Sequence, residues 1–170
     1  PPDGEIARQM FSAVQPHLST GFVTPMAAVA GAVAQTVLAA MTSQADLSRA
    51  YVNNGGDIAI HLTKGQRFKM AVLRYDGHRL GEIDIGHDDP IRGIATSGRH
   101  GRSFSLGIAD SVTVLAKTAA AADIAATLVA NAVDLSDHPA ITRVPANSLD
   151  ETSDLGAQPV VTRCGTLRPD

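Results

Sequence analysis

Three short stretches of the chain bring together residue types that can bind or transform a ligand. The densest is Tyr51-Val-Asn-Asn-Gly-Gly-Asp-Ile-Ala-Ile-His61, where two Asn, two Gly and an Asp lie between apolar, strand-like segments. Glycine lets a ligand approach the backbone closely, and amide N–H groups in such a turn form a nest for an anion. Asn53, Asn54, Gly55, Gly56 and Asp57 are therefore candidate ligand contacts, and an ordinary hairpin turn is the competing reading, because Asn-Gly favours one. The second is Ile94-Ala-Thr-Ser-Gly-Arg-His-Gly-Arg-Ser103, a strand that runs into a loop of hydroxyls, glycines and cations. Thr96, Ser97, Gly98, Arg99, His100 and Arg102 could hold an anion such as a carboxylate, or form a plain exposed connection. A triad of Ser97, His100 and Asp110 is disfavoured, since Thr-Ser-Gly is not a nucleophile-elbow pattern. The third is Asp123 and Thr127, at i and i+4 on one helix face. Their oxygens are hard donors suited to Mg2+. Asp123 stands among alanines and either faces solvent or is buried with a partner.

Other polar residues carry less. His87-Asp88-Asp89 reads as a solvated turn, because consecutive residues do not share a helix face. His17, His78 and His138 each adjoin Pro or Gly and read as surface turns, and Cys164 shows nothing that would make it reactive.

The elements that must position these groups follow from periodicity. Asp3 to Leu18 reads as an amphipathic helix capped by Asp3 and ended by Pro16. Thr24 and Pro25 open a second helix to about Met41, apolar almost all round and so expected to be buried. Strands are expected at 50–52, 57–62, 94–96 and 111–116, and a hairpin joins 68–75 to 79–85 across Asp76-Gly77. An alanine-rich helix spans 118–132, and the rest is loop with a strand at 159–162. Helices mixed with strands in this order indicate an α+β or α/β sandwich in a single domain over residues 1–170.

Composition narrows the function further. The chain has 170 residues, a net charge of −3 and only 4% aromatic residues, so it has neither the basic surplus nor the stacking rings of a nucleic-acid binder. No uninterrupted apolar run reaches the roughly 20 residues of a membrane span. Phe22 to Met41 comes nearest, with Thr24, Pro25, Gln35 and Thr36 interrupting it. One Cys excludes an intrachain disulfide framework or a Cys-rich zinc site. The absence of an initiator Met and of a signal-peptide pattern leads to the expectation of a cytoplasmic protein that is processed or a fragment. Alanine accounts for 27 residues, which implies helices that approach their neighbours closely and leaves room for a homo-oligomer.

In order, the three stretches resemble the FAD:protein FMN transferases, the ApbE family, through Asn53 to Asp57, Ala95 to Gly98, and Ser111 to Val114 followed by Ala122-Asp123 and Ala126-Thr127. Closer still is the UPF0280 branch, which the chain resembles in Phe22-Val-Thr-Pro-Met-Ala-Ala-Val-Ala-Gly-Ala-Val, in Tyr51 to Ala59 and in Ser105-Leu-Gly-Ile-Ala-Asp-Ser-Val-Thr-Val-Leu-Ala. The resemblance spans Glu5 to Val161 and implies the truncated or processed core of a longer protein. It implies an α/β architecture with pseudo-duplicated halves and buried alanine-rich helices on mixed or antiparallel sheets. It also implies Mg2+ on Asp123 and Thr127, and a flavin nucleotide (FAD or FMN) lying against the Asn-Gly-Gly and Thr-Ser-Gly turns. The chain departs from the transferases where Ala30 replaces their Lys and Gln35 their acid, and their His-x-x-Asp-Pro segment is absent. Those departures count against FAD recognition and FMN transfer. Arg99, His100, Arg102 and Ser103 point instead to a smaller anionic ligand.

Overall fold

A computed structural model describes residues 2–167. A four-stranded antiparallel sheet lies at the centre, in the order β1 (Arg49–Asn54), β2 (Asp57–Leu62), β5 (Gly93–Ser97), β6 (Val112–Ala116). Strand alternation divides its side chains cleanly between two layers. Ala50, Val52, Ala59, Ala95, Val114 and Ala116 face two helices, α2 (Val29–Gln44) and α3 (Ala119–Ala132). Ile58, Ile60, Leu62, Ile94 and Leu115 face the other way, onto Phe68, Met70, Ile83 and Ile85 of a separate hairpin, β3 (Arg67–Leu73) and β4 (Arg79–Gly86). Small residues thus lie under the helices and large ones under the hairpin. A third layer is supplied by α1 (Glu5–Val14), whose Val14 packs with Ala28, Ala32, Ala120 and Ile124.

Alanine and glycine let backbone meet backbone in the helical layer. A Cβ built on Gly31 of α2 would stand 2.4 Å from the Ala119 carbonyl oxygen of α3, and one on Gly93 of β5 would stand 2.2 Å from the Thr118 carbonyl carbon. Thr118 caps α3 by accepting the Ala121 N–H at 3.2 Å.

Several sequence expectations need correction. Gly4, not Asp3, occupies the position before α1, which ends at Val14 and passes into a 3-10 turn containing Pro16. Pro25 opens a 3-10 turn (Pro25–Ala28) that leads into α2, and Thr24 donates its hydroxyl to Asp154 rather than capping. Pro25–Gln44 is therefore one helical segment of 20 residues with mean hydropathy 1.5, long and apolar enough to cross a membrane by length and composition. Pro25 begins this run and Thr24 precedes it, so neither interrupts it, and Gln35 and Thr36 are accommodated within the helix. Its inner side (Ala28, Gly31, Ala32, Ala34, Leu38) packs on α1, α3 and the sheet, as a core helix does. Its outer side is not buried as expected: Met26, Val37 and Met41 are exposed. All strand pairings are antiparallel. The stretch expected to be loop contains a further strand, β7 (Ile141–Pro145), paired with β8 (Pro159–Cys164). His87 turns inward through Nδ1 to the Leu62 carbonyl at 2.9 Å, and Asp89 accepts the Gly86 N–H at 2.7 Å, so this turn is a structural one.

Because Gly31 faces backbone that cannot move aside, Gly31→Ala is expected to destabilise the fold by about 1–3 kcal/mol in denaturant titration. A substitution at Gly81, which meets nothing, serves as the neutral control.

Candidate functional site

The β1–β2 turn closes on Gly55 and Gly56, both with positive φ (72° and 113°), as a two-residue hairpin demands. Asn53 and Asn54 are neighbours in sequence but project from opposite faces. Asn53 belongs to the turn and accepts the Gly56 N–H through Oδ1 at 2.8 Å. Asn54 lies on the helix side and donates from Nδ2 to the Ala30 carbonyl at 3.2 Å. Asp57, paired with Asn54 across the hairpin, shares that side and accepts the Thr96 N–H at 3.3 Å. Alternation sorts Thr96 and Ser97 in the same way. The Thr96 hydroxyl meets Thr113 on the far face at 2.9 Å, so Thr96 contributes only its backbone. Ser97 faces the helices and accepts from the Thr127 hydroxyl at 3.5 Å.

Asp123 completes the group from α3. Its Oδ2 accepts the Gly31 N–H at 2.9 Å, and the Ala30 N–H also stabilises it. The 3-10 turn before α2 leaves these first-turn N–H groups without partners in their own helix, and α2 has no side-chain cap of its own. A carboxylate from the neighbouring helix supplies one. Asn54 and Asp123 thus meet on consecutive residues of α2, and Asn54, Asp57, Ser97, Asp123 and Thr127 form one cluster.

Its electrostatics are unusual for so few charges. Burial pushes the Asp123 carboxyl up to about 7, the neighbouring Asp57 charge pushes in the same direction, and the Gly31 and Ala30 N–H groups only partly oppose them. Burial pushes Asp57 up to about 6, against the Thr96 N–H and the Arg102 charge. Neither carboxylate is in an ion pair among the described residues.

The cations of the second stretch separate. Arg102 lies against Gly55, where a Cβ would fall 1.5 Å from its Nη2, so only glycine admits it beside Asp57. Arg99 is tied to Asp110 at 2.5 Å, and His100 reaches the same carboxylate at 3.3 Å. His100 also stacks on Tyr75 from the tip of the β3–β4 hairpin, with ring centroids 3.8 Å apart. Gly98, with φ 140°, is packed against Asp110 and Ala109 carbonyls and shapes the loop. Arg99, His100 and Gly98 therefore hold the loop together, and no side-chain hydrogen bond or ion pair joins Arg99 or His100 to the cluster among the described residues. No group of three or more His, Cys, Asp and Glu side chains is placed to hold a metal ion among the described residues. The cluster offers two carboxylates with the Thr127 and Ser97 hydroxyls, hard oxygens of the class that Mg2+ takes. What the sequence did not signal was the role of Ala30 and Gly31, since backbone groups leave no mark on residue type.

The raised carboxyls set a sign for pH dependence. Each folded-state value exceeds the ordinary 3.8, so the unfolded chain releases these protons first, and stability is lost as pH rises through 6 to 7. Without divalent cation, melting temperature is expected to fall between about pH 4 and about pH 7 and to level off above, and Asp57→Asn is expected to flatten that slope.

Comparison with known proteins matches the whole chain to one family. The family model described as AbpE bacteria matches residues 1–170. A UPF0280 protein of Methanopyrus kandleri is 37% identical over 161 residues, which cover 94% of this chain and 62% of the relative. One from Methanospirillum hungatei is 36% identical over 126 residues, covering 74% of this chain and 51% of the relative. One from Methanothrix thermoacetophila is 40% identical over 122 residues, covering 69% and 49%. The chain spans about half to three fifths of the length of these curated relatives. It belongs to the AbpE bacteria family, and its relatives are UPF0280 proteins.

Proposed function

We propose that the chain binds a small anionic ligand, of the nucleotide or flavin phosphate kind, through Mg2+ held by Asp123 and Thr127 with Asp57 as the second carboxylate. The observation that carries this reading is the Asp57–Asp123 pair: burial raises both half-buried acids, the Asp57 charge raises Asp123 further, and neither is in an ion pair among the described residues. Divalent Mg2+ supplies the missing positive charge and neutralises phosphate oxygens. On the protein side, Asp123 is oriented by the Gly31 N–H and Asn54 is anchored on Ala30. Arg102, which has no ion pair among the described residues, reaches a ligand anion from above Gly55. The likeness to FAD:protein FMN transferases adds weight to a flavin phosphate, and with it to pseudo-duplicated halves and a Mg2+-dependent transferase activity. Ala30 in place of the family Lys weighs against transfer itself.

A second reading is favoured by one observation. Asp123 already serves α2 as a cap, so its carboxylate has a structural use whether or not chemistry follows. On that reading the chain is a ligand-binding or degenerate paralogue without turnover.

Calorimetry with MgCl2, then with FMN, FAD and ADP in the presence of MgCl2, tests the proposal. Heat of Mg2+ binding is expected for the native chain. Asp123→Asn keeps an oxygen for the Gly31 N–H and should fold, yet lower Mg2+ affinity at least tenfold. Absence of Mg2+ binding near neutral pH would overturn the metal reading. Mg2+ binding with no flavin or nucleotide heat would confine the ligand to another anion. Flavin or nucleotide binding without turnover would favour the second reading.

A further inference from the structure

The loop that carries Arg102 is suspended between two anchors. At its entry Gly98 is packed against the Ala109 and Asp110 carbonyls, and the Arg99 N–H donates to the Ala109 carbonyl at 2.9 Å. Asp110 holds both Arg99 and His100 there. At its exit Ser105 is buried, donates its hydroxyl to the Gly107 carbonyl at 3.1 Å and accepts the Val161 N–H on its own carbonyl at 2.8 Å. Between the anchors Arg102, Ser103 and Phe104 are exposed and make no hydrogen bond or ion pair among the described residues. The Arg102 guanidinium nevertheless stands over Gly55 and near Asp57, so its place is set by the backbone on either side of it.

A distant element reaches the entry. The tip of the β3–β4 hairpin, residues 74–78, is exposed, and its hydrogen bonds and ion pair stay within the tip among the described residues. Its link to the loop is Tyr75, whose ring lies on that of His100 with centroids 3.8 Å apart and planes 13° from parallel. The Arg74 guanidinium lies 5.8 Å from the same ring and is held by Asp76, which also accepts the His78 N–H at 3.1 Å. His100 is thus engaged by Asp110 and by Tyr75, two residues before Arg102.

We propose that Tyr75 is a positioning residue for Arg102: the hairpin tip straps the loop entry so that the guanidinium faces the anionic part of the ligand. This inference rests on the anion-binding reading given above. It gives the tip a use that packing does not require, since Phe68, Met70, Ile83 and Ile85 already seat the body of the hairpin on the sheet. Ring faces meet in the stack, so position 75 needs a ring and not a hydroxyl. Without the strap, an anion must order the loop as it binds, which lowers its affinity and leaves Mg2+ alone unaffected.

Amide hydrogen exchange and carboxyl NMR test this on the full chain, with Tyr75→Ala, Tyr75→Phe and, as an exposed control on the same hairpin, Leu80→Ala. In Tyr75→Ala the amides of residues 100–104 are expected to exchange roughly three- to tenfold faster, the change that loss of one aromatic pair allows. The Asp57 midpoint is expected to rise above about 6, because the Arg102 charge that lowers it is no longer held close. Tyr75→Phe and Leu80→Ala should match the native chain in both. With MgCl2 present, inorganic phosphate should bind Tyr75→Ala roughly three- to tenfold more weakly, with Mg2+ affinity unchanged. Circular dichroism melting shows that each variant is folded, and His100→Ala, which removes the other ring, decides if Tyr75→Ala perturbs the fold. Native exchange with an unmoved Asp57 midpoint in Tyr75→Ala, or a Tyr75→Phe that behaves like Tyr75→Ala, would overturn the proposal. A native chain that binds neither Mg2+ nor phosphate would overturn the reading of the site instead, and exchange with the Asp57 midpoint would still decide whether Tyr75 holds the loop.

Discussion

The contact on which the rest of the structure depends is the approach of α2 to the first turn of α3. Gly31 has no side chain there, so the two backbones touch, and the Asp123 carboxylate one turn along α3 accepts the Gly31 N–H. Helix packing and helix capping are thereby solved by the same pair of residues. The arrangement also fixes the site. It holds an acid in a half-buried position that its surroundings disfavour for a charge, and it aims the start of α2 at the end of the β1–β2 hairpin, where Asn54 and Asp57 stand. An alanine at residue 31 would separate the helices and shift the acid together.

Strand alternation performs the second selection. Consecutive residues in a strand point to opposite layers, so each conspicuous dipeptide contributes one residue to the cluster and one to structure. Asn54 joins it while Asn53 ties the turn, and Ser97 joins it while Thr96 pairs with Thr113. The same rule explains the composition of the core. Alanine lines the side that receives α2 and α3, and isoleucine and leucine line the side that receives the hairpin.

This pattern marks what was legible in the sequence. β2 falls at Asp57–Leu62 as its alternation indicates, and α3 begins one residue after the Thr118 that caps it. The α+β class and the gathering of Asp57, Ser97, Asp123 and Thr127 follow from motifs whose side chains carry the signal. β7 was not legible because its pairing with β8 is non-local and its sequence, Ile-Thr-Arg-Val-Pro, is short and flanked by turn residues. The exposed side of α2 was not legible because alanine and valine occupy it all round, and only the packing of α1, α3 and the sheet decides which side is covered. Nor was the division of the arginines. Arg99 and Arg102 are three residues apart in one loop, yet Asp110 claims the first and Gly55 makes room for the second.

The proposed Mg2+ site rests on two neighbouring acids whose protonation burial shifts upward and whose charge a cation from outside the chain would neutralise. Carboxyl 13C chemical shifts of Asp57 and Asp123, followed through a pH titration with and without MgCl2, measure this directly. The account predicts midpoints near 6 and 7 without the cation, and a fall of both toward or below the ordinary aspartate range when Mg2+ is added. Ordinary midpoints for both residues, unmoved by Mg2+, would contradict it.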